Sequence, residues 1–205
     1  MMTPEHRNRS HRAQAGVLVR ALVTLLALVG VAGCTAPPPL HGTSVGGALP
    51  AAPLLATRAD GGSYELASEK GRLVLLFFGY THCPDLCPTT LADWARAKRA
   101  LGKKADAVRF VFVSVDPERD TPAIALAYAR QFDSTFVGVA PTVAQLEVIK
   151  PAWGIAAFKE PTGTAGGYGV AHPAQAFLLD RQGQVILVYP PGTKPDDLAS
   201  DLKRL

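Results

Sequence analysis

The sequence has 205 residues, enough for one ordinary domain with additional segments, because a single hydrophobic core serves about 100 to 200 residues. The formal net charge is +4, and much of this excess lies before the first long apolar run. The arginines there are Arg7, Arg9, Arg12 and Arg20. The remainder of the chain therefore carries little excess charge, which argues against a nucleic-acid partner.

Residues 21–33 (ALVTLLALVGVAG) form an apolar run directly after this arginine-rich start. The run is shorter than the roughly 20 residues that a membrane-spanning helix needs, and it is typical of an export signal. Two small residues then precede Cys34, an order that resembles the recognition sequence of the bacterial lipoprotein signal peptidase. We expect residues 1–33 to be a lipoprotein signal peptide and Cys34 to carry a lipid. Cleavage at an ordinary small-residue site, or an uncleaved anchor, is the alternative.

This start predicts an extracytoplasmic protein, held at a bacterial membrane by its lipid and facing the periplasm in a Gram-negative cell. Residues 34–53 are rich in proline, glycine and alanine and contain too few large apolar residues for a core, so they predict a tether. The folded domain is then expected at residues 54–205. It contains two cysteines, which an extracytoplasmic compartment permits to be reduced, metal-bound or joined in a disulfide bond.

The first half of this domain predicts a strand, a helix and a second strand. Residues 73–78 (LVLLFF) are continuously apolar, the pattern of a strand buried on both faces. Residues 89–101 show helical spacing of their apolar side chains, with cationic residues toward the end. Residues 108–115 (VRFVFVSV) are rich in β-branched and aromatic residues, which favours another buried strand.

The second half continues the alternation. Thr121 and Pro122 suit a helix start, with the helix following over residues 123–132, and a short strand is expected at 135–139. The remaining predicted elements are a helix at 142–153, strands at 176–180 and 184–189 around a glycine turn, and a final helix at 195–205. This order predicts an α/β fold: a thioredoxin-like sandwich with a central mixed sheet flanked by helices and a C-terminal β-hairpin plus helix.

Cys83 and Cys87 lie in the segment GYTHCPDLCP, directly after the first long buried strand. If Pro84 opens the following helix, the two cysteines are one turn apart on the same face, so that both sulfurs can converge. A helix N-terminus also favours ionised thiols, and thiolate is the form that binds metal or attacks as a nucleophile. Thiolates select copper(I) or zinc, and an added imidazole would allow copper(II) as well. A structural disulfide, or two inert buried thiols, is the competing interpretation.

The segments GYTHCPDLCPTTL and VSVDPERDTP, together with a histidine shortly before FLLD, resemble the Sco/SenC family. Those proteins are thioredoxin-like copper-binding domains implicated in assembling the copper centre of cytochrome c oxidase. The resemblance covers the chain from about residue 54 to its end. It implies copper, as Cu(I) or Cu(II), on Cys83, Cys87 and His172, and it matches Asp116 to an aspartate often linked to the site.

Two histidines lie within the expected domain, and either is a candidate third ligand. His82 adjoins Cys83, but sequence neighbours at such a turn tend to point apart, so His172 is preferred and His82 is held in reserve. The family commonly has an acidic residue immediately before this histidine, whereas here Ala171 precedes it and Pro173 follows. Because outer partners orient metal-bound imidazoles, this departure concerns the affinity and tautomer at the site.

Two aspartates near these motifs have structural interpretations of their own. Asp85 suits a helix N-terminus, and we take it as structural. Asp116 precedes a proline and suits a cap or turn, but it could equally support the metal ligands from behind.

The resemblance implies a metallochaperone that delivers copper to the copper-binding subunit of cytochrome c oxidase. Another copper chaperone or a thiol reductase could act with it, and its lipid would place it at the membrane. The alternative is a thiol-disulfide oxidoreductase that reduces the acceptor's cysteine pair. Such enzymes generally have two residues between their cysteines and a cis-proline where Ala174 is expected to lie, and this chain has three residues between them. A peroxidase and a pure scaffold are weaker candidates.

Overall fold

The computed structural model describes residues 38–161 and 167–205, and Leu40–Leu205 form one compact unit. The expected signal peptide and Cys34 lie outside the described residues. The strands are β1 (Thr43–Pro50), β2 (Leu55–Thr57), β3 (Ser63–Glu65), β4 (Leu73–Gly79), β5 (Val108–Ser114), β6 (Val137–Val139), β7 (Phe158–Pro161), β8 (Tyr168–Ala171), β9 (Ala176–Leu179) and β10 (Gln184–Tyr189). The α-helices are α1 (Leu86–Leu101), α2 (Pro122–Arg130), α3 (Val143–Ala152) and α4 (Pro195–Arg204).

The main sheet of the described unit has the strand order β1-β10-β9-β4-β5-β6. Strands β4, β5 and β6 are parallel, whereas β9 pairs with the other side of β4 in antiparallel orientation. Strands β10 and β1 extend the sheet, again antiparallel. The sheet is therefore mixed, as the sequence predicts. Two small hairpins, β2 with β3 and β7 with β8, lie outside it.

Helices cover both faces of the sheet, and the aromatic contacts show which helix lies on which face. Phe77 and Phe78 are neighbours on β4, so their side chains point to opposite faces. Phe77 contacts Trp94 of α1, with ring centroids 6.2 Å apart, whereas Phe78 contacts Trp153 directly after α3, at 5.4 Å. Helix α4 packs against α1. The architecture is the expected thioredoxin-like sandwich, closed by the β9–β10 hairpin and the C-terminal helix.

The long apolar elements lie where the sequence predicts them, and the local differences have physical reasons. Helix α1 begins at Leu86 and not with Pro84. Strand β6 covers three residues of the expected five. Strands β2, β3, β7 and β8 were not predicted, because each has only three or four residues and no extended apolar alternation.

The structure differs from the predicted tether over Thr43–Pro50, which forms the edge strand β1 on β10. The sequence did not predict β1 because the segment is rich in glycine and lacks regular apolar alternation. Gly46 and Gly47 have positive φ, and the pairing with β10 shifts register between Ser44 and Leu49. Most of its side chains are exposed, so backbone pairing holds it and not a buried apolar face.

A buried carboxylate fastens the segment before β1 to the C-terminal helix. Asp201 of α4 is fully buried and accepts hydrogen bonds from the backbone N–H groups of His41 and Gly42, at 2.8 and 3.0 Å. The Tyr189 hydroxyl donates to the same carboxylate at 3.2 Å, and His41 Nδ1 lies 2.8 Å from its other oxygen. Because a buried carboxylate requires such partners, residues 41 and 42 are part of the folded unit.

Across the described residues, no helix combines the length and the apolar character that crossing a bilayer would require.

Replacing Asp201 should loosen the N-terminal strand. Asp201→Asn keeps the shape but gives one accepting oxygen where three donors converge, so we expect a loss of about 1–3 kcal/mol in the free energy of unfolding, measured by urea titration. Asp197→Asn is the matched control, because Asp197 is partly exposed and lies 3.4 Å from His41 Nε2. It should change stability by less than about 1 kcal/mol. Equal effects of the two substitutions would contradict the role given to Asp201.

Candidate metal centre

Three chain segments meet at one edge of the main sheet. The parallel strands β4 and β5 end there, and Val115 N–H donates to the Gly79 carbonyl at 2.8 Å. Strand β9 runs in the opposite direction, and Ala176, its first residue, pairs with Phe77 near the end of β4. The segment just before β9 therefore lies beside the segment just after β4. This places His172 next to Cys83 and Cys87.

The turn between β4 and α1 is organised around the Cys83 sulfur. Asp85 occupies the cap position of α1 but is exposed, and in the described structure its side chain makes no capping hydrogen bond. The backbone N–H of Cys87 instead donates to Cys83 Sγ at 3.4 Å. The sulfur thus takes one of the unpaired donors of the helix start. Pro84 lies between them in the turn, so the convergence of the two cysteines does not require it to open the helix.

Gly79 leaves room for the second sulfur. Cys87 is fully buried, and a Cβ on residue 79 would lie 2.8 Å from its Sγ. It would also lie 2.9 Å from the rings of Phe77 and Phe112. Real Cβ contacts are not that short, so a side chain here would displace the Cys87 sulfur. The absence of a side chain at the end of β4 is therefore a condition for the site.

The two thiols have very different acidities. The hydrogen bond with Cys87, together with the backbone N–H groups of Cys87 and Asp85, lowers the pKa of Cys83 to about 4, against the opposing effect of burial. The same hydrogen bond and burial raise the pKa of Cys87 well above its usual range. At neutral pH the pair is therefore a thiolate at Cys83 that accepts a hydrogen bond from a thiol at Cys87. Among the described residues both cysteines are free, not joined in a disulfide.

His172 is fixed with one ring nitrogen turned to the cysteines. Its Nε2 lies 3.6 Å from Cys87 Sγ, and its Nδ1 lies 3.0 Å from the carbonyl oxygen of Pro173. A carbonyl only accepts, so Nδ1 carries the proton and Nε2 presents a lone pair. The ring makes edge contacts with Phe77 and Tyr80, with centroids 5.8 and 5.5 Å apart. The Pro173 carbonyl thus does what the missing acidic residue before the histidine would do.

These three side chains form a possible metal site. One donor atom from each of Cys83, Cys87 and His172 lies within 4.8 Å of the others, and in residues 38–161 and 167–205 no other His, Cys, Asp and Glu side chains form such a group. His82 is not part of it. Its ring is exposed and turns to Thr81 Oγ1 and to Asp120, at 3.1 and 3.7 Å from Nδ1.

Two buried aspartates, Asp116 and Asp120, follow β5 at this edge of the sheet. Asp116 is buried and bonds to the Arg119 side chain and the Tyr168 hydroxyl, so it does not face the sulfurs directly. Burial and this hydrogen bond raise the pKa of Tyr168 to about 12, so the phenol keeps its proton. The buried Asp120 accepts from Thr81 N–H at 2.9 Å and holds the turn before Cys83. The sequence reasoning singled out neither Asp120 nor Arg119, although both lie in the VSVDPERDTP segment.

Known proteins match this chain in sequence and in fold. The family model SCO1/SenC matches residues 51–205. Bradyrhizobium japonicum ScoI, a structure with copper bound, is 39% identical, with a TM-score of 0.69 over 76% of this chain and 98% of that one. Apo Sco1 from Thermus thermophilus is 33% identical, with a TM-score of 0.74 over 82% and 98%. A protein of Stutzerimonas stutzeri named "Putative copper-binding protein" is 35% identical over 117 residues, 57% of each chain. The chain thus spans less than two thirds of that relative's length.

The alkylation of the cysteines should show their unequal acidity. Because Cys83 is already ionised above about pH 4, its rate with iodoacetamide should stay nearly constant from pH 5 to 7, whereas an ordinary thiol gains about tenfold per pH unit. Peptide mass spectrometry after short pulses measures each cysteine separately, and Cys87 should label last. In a Cys87→Ala protein the hydrogen bond is lost, and the Cys83 rate should regain its rise with pH. A steep rise in the unsubstituted protein would show that Cys83 is an ordinary thiol.

Proposed function

The chain belongs to the SCO1/SenC family, and on that premise we propose that it is a copper metallochaperone that delivers copper to a copper centre of cytochrome c oxidase during its assembly. The observation that carries this proposal is the convergence of two cysteine sulfurs and an imidazole nitrogen within 4.8 Å. Two thiolates and one imidazole are a ligand set that suits copper in both of its common oxidation states.

Each of the three residues has a separate part in loading. Cys83 offers a thiolate without further change, and His172 offers the Nε2 lone pair. Cys87 must first lose its thiol proton, which it donates in a hydrogen bond to Cys83. Metal uptake at neutral pH therefore releases about one proton. The two sulfurs alone satisfy copper(I), which is soft, whereas copper(II) depends on His172 as well.

The burial of the ligands gives delivery a direction. Cys87 is fully buried, whereas Cys83 and His172 are partly exposed. An acceptor's thiolate can therefore approach the metal from the side of Cys83 and His172, and it replaces these ligands before Cys87. Ligand exchange of this kind transfers copper between proteins without releasing the free ion.

The thiol-disulfide oxidoreductase remains a second candidate, and the low pKa of Cys83 favours it. Exchange begins with an accessible thiolate, which Cys83 provides. The rest of the site favours it less. His172 supplies no sulfur for such an exchange, yet its ring is oriented on both sides, by Pro173 and by Cys87.

The location follows from the sequence. We propose that residues 1–33 are removed as a signal peptide and that a lipid on Cys34 anchors the protein to a bacterial membrane, with its domain outside the cytoplasm and, in a Gram-negative cell, facing the periplasm. The copper-binding subunit of the oxidase would be within reach there. Another copper chaperone or a thiol reductase would supply the metal or keep the cysteines reduced.

Copper titration of the reduced protein tests the site. In the full chain, solubilised in detergent, Cys83→Ala and Cys87→Ala should each lower copper(I) affinity by more than about a hundredfold, because losing a ligand exceeds the 10–100-fold effect of losing an outer partner. His172→Ala should keep copper(I) and lose the copper(II) spectrum. His82→Ala is the matched control and should bind both as the parent does.

The site is wrong if His172→Ala leaves the copper(II) spectrum and affinity unchanged. The same variants separate the two functions, because thiol-disulfide exchange requires Cys83 and Cys87 but not His172. A His172→Ala protein that supports oxidase assembly fully would favour the oxidoreductase.

A further substitution tests the anchor. Cys34→Ser removes the atom that receives the lipid, so the precursor should stay uncleaved and no acyl chain should be found by mass spectrometry. If the unsubstituted protein is processed to its normal mature size but carries no lipid, the lipidation is refuted.

A further inference from the structure

Arg119 contacts the first residue of strand β8, the strand that directly precedes His172. Its Nη1 donates to the backbone carbonyl of Tyr168, the first residue of β8, at 2.9 Å. Its guanidinium also stacks on the Tyr168 ring, 3.6 Å from the centroid. Strand β8 ends at Ala171, and His172 follows directly. The position of His172 therefore depends on how firmly the start of β8 is held.

Arg119 is itself held by the end of β5. Its Nε donates to Asp116 Oδ2, and the Tyr168 hydroxyl donates to the other oxygen of the same carboxylate at 2.9 Å. Asp116 is only 2% exposed. The three residues thus form a closed ring of contacts that joins the sheet edge to β8. A charge-assisted bond between a guanidinium and a buried carboxylate is among the stronger polar contacts of a protein.

The same guanidinium also faces the cysteine side of the site. It lies 5.7 Å from the centroid of the Tyr80 ring, and Tyr80 makes an edge contact with His172 at 5.5 Å. Arg119 is therefore linked to His172 indirectly by two routes, through strand β8, which precedes the histidine, and through the Tyr80 ring, which contacts it. Within the described part of the chain, its Nη2 is buried without a hydrogen-bond partner. Packing around this nitrogen, together with the bonds of Nε and Nη1, therefore holds the guanidinium in place.

We propose that Arg119 is a positioning residue that sets His172 at copper-binding distance from the cysteines, while the cysteines depend on it much less. The proposal rests on the copper-binding function argued above. The turn that carries Cys83 is held separately, by Asp120 through Thr81. Losing Arg119 should therefore weaken the imidazole contribution to the site and leave the two sulfurs in place.

Lysine cannot replace this arginine. The guanidinium makes two directed hydrogen bonds and a flat stack at once, whereas an ammonium group offers one compact charge. Arg119→Lys should therefore behave nearly as Arg119→Gln does. Lys159→Gln is the matched control, because Lys159 Nζ also lies over the Tyr168 ring, at 4.6 Å, but pairs with the exposed Glu118. The substitution removes a cation from the Tyr168 side chain. It leaves the contacts among Asp116, Arg119 and Tyr168 intact.

The experiment compares these variants in the full chain, solubilised in detergent, with copper(I) and copper(II) titrated separately. Arg119→Gln should lose 10–100-fold in copper(II) affinity and change the copper(II) electron paramagnetic resonance spectrum, with copper(I) affinity nearly unchanged. In the metal-free protein, amide hydrogen exchange at residues 168–171 should become faster. Tyr168→Phe removes only the hydroxyl bond to Asp116 and should shift the same readouts less.

Two results would overturn the proposal. One is an Arg119→Gln protein with the parent spectrum and the parent exchange rates. The other is a loss of affinity that is as large for copper(I) as for copper(II), in both Arg119→Gln and Tyr168→Phe. That pattern would indicate a general structural role for Arg119. If the parent chain binds neither copper ion, the proposed function fails, and the hydrogen exchange at residues 168–171 still decides whether Arg119 holds the strand.

Discussion

Strand β9 joins the sheet antiparallel to β4, and the candidate metal site depends on this reversal. A parallel strand in the same position would carry the segment before it to the opposite edge of the sheet. Because β9 is reversed, His172 lies beside Cys87, which precedes it by 85 residues. The long buried pairing of β4 with β5 keeps this edge in place. The fold thus brings a histidine to a cysteine pair from which the chain separates it by at least 85 residues.

Two buried carboxylates are paired with their donors at this edge. Asp116 and Asp120 both follow β5, and each is almost completely buried. An unpaired carboxylate in such surroundings would be strongly unfavourable, so its donors are held as firmly as the carboxylate itself. Asp120 holds the turn before Cys83, and Asp116 holds Arg119 and Tyr168. Asp201 in the C-terminal helix α4 is likewise a buried carboxylate with its donors, and it holds the segment before β1.

The sequence predicted those parts of the structure whose signals are local. The apolar run of β4 and the capping residues of α2 and α3 indicate their elements without any partner, as the bonds of Thr121 and Thr142 show. Strand β1 has no such signal, since its pairing with β10 replaces an apolar face. The prediction of the cysteine pair rests on its spacing, whereas that of His172 rests chiefly on family resemblance. Nothing in the sequence signals the role of Arg119, because its aromatic partners, Tyr80 and Tyr168, lie far from it along the chain.

The unequal protonation of the two cysteines connects the fold to the handling of metal. The buried thiol of Cys87 stabilises the thiolate of Cys83, so in the metal-free site only one of the two sulfurs carries a negative charge. Two thiolates in the same space would repel each other, and burial would oppose the second charge further. Only a bound cation removes both difficulties, so the second ionisation and metal binding occur together. Geometry prepares the ligands, and the proton on Cys87 makes the affinity of the site depend on pH.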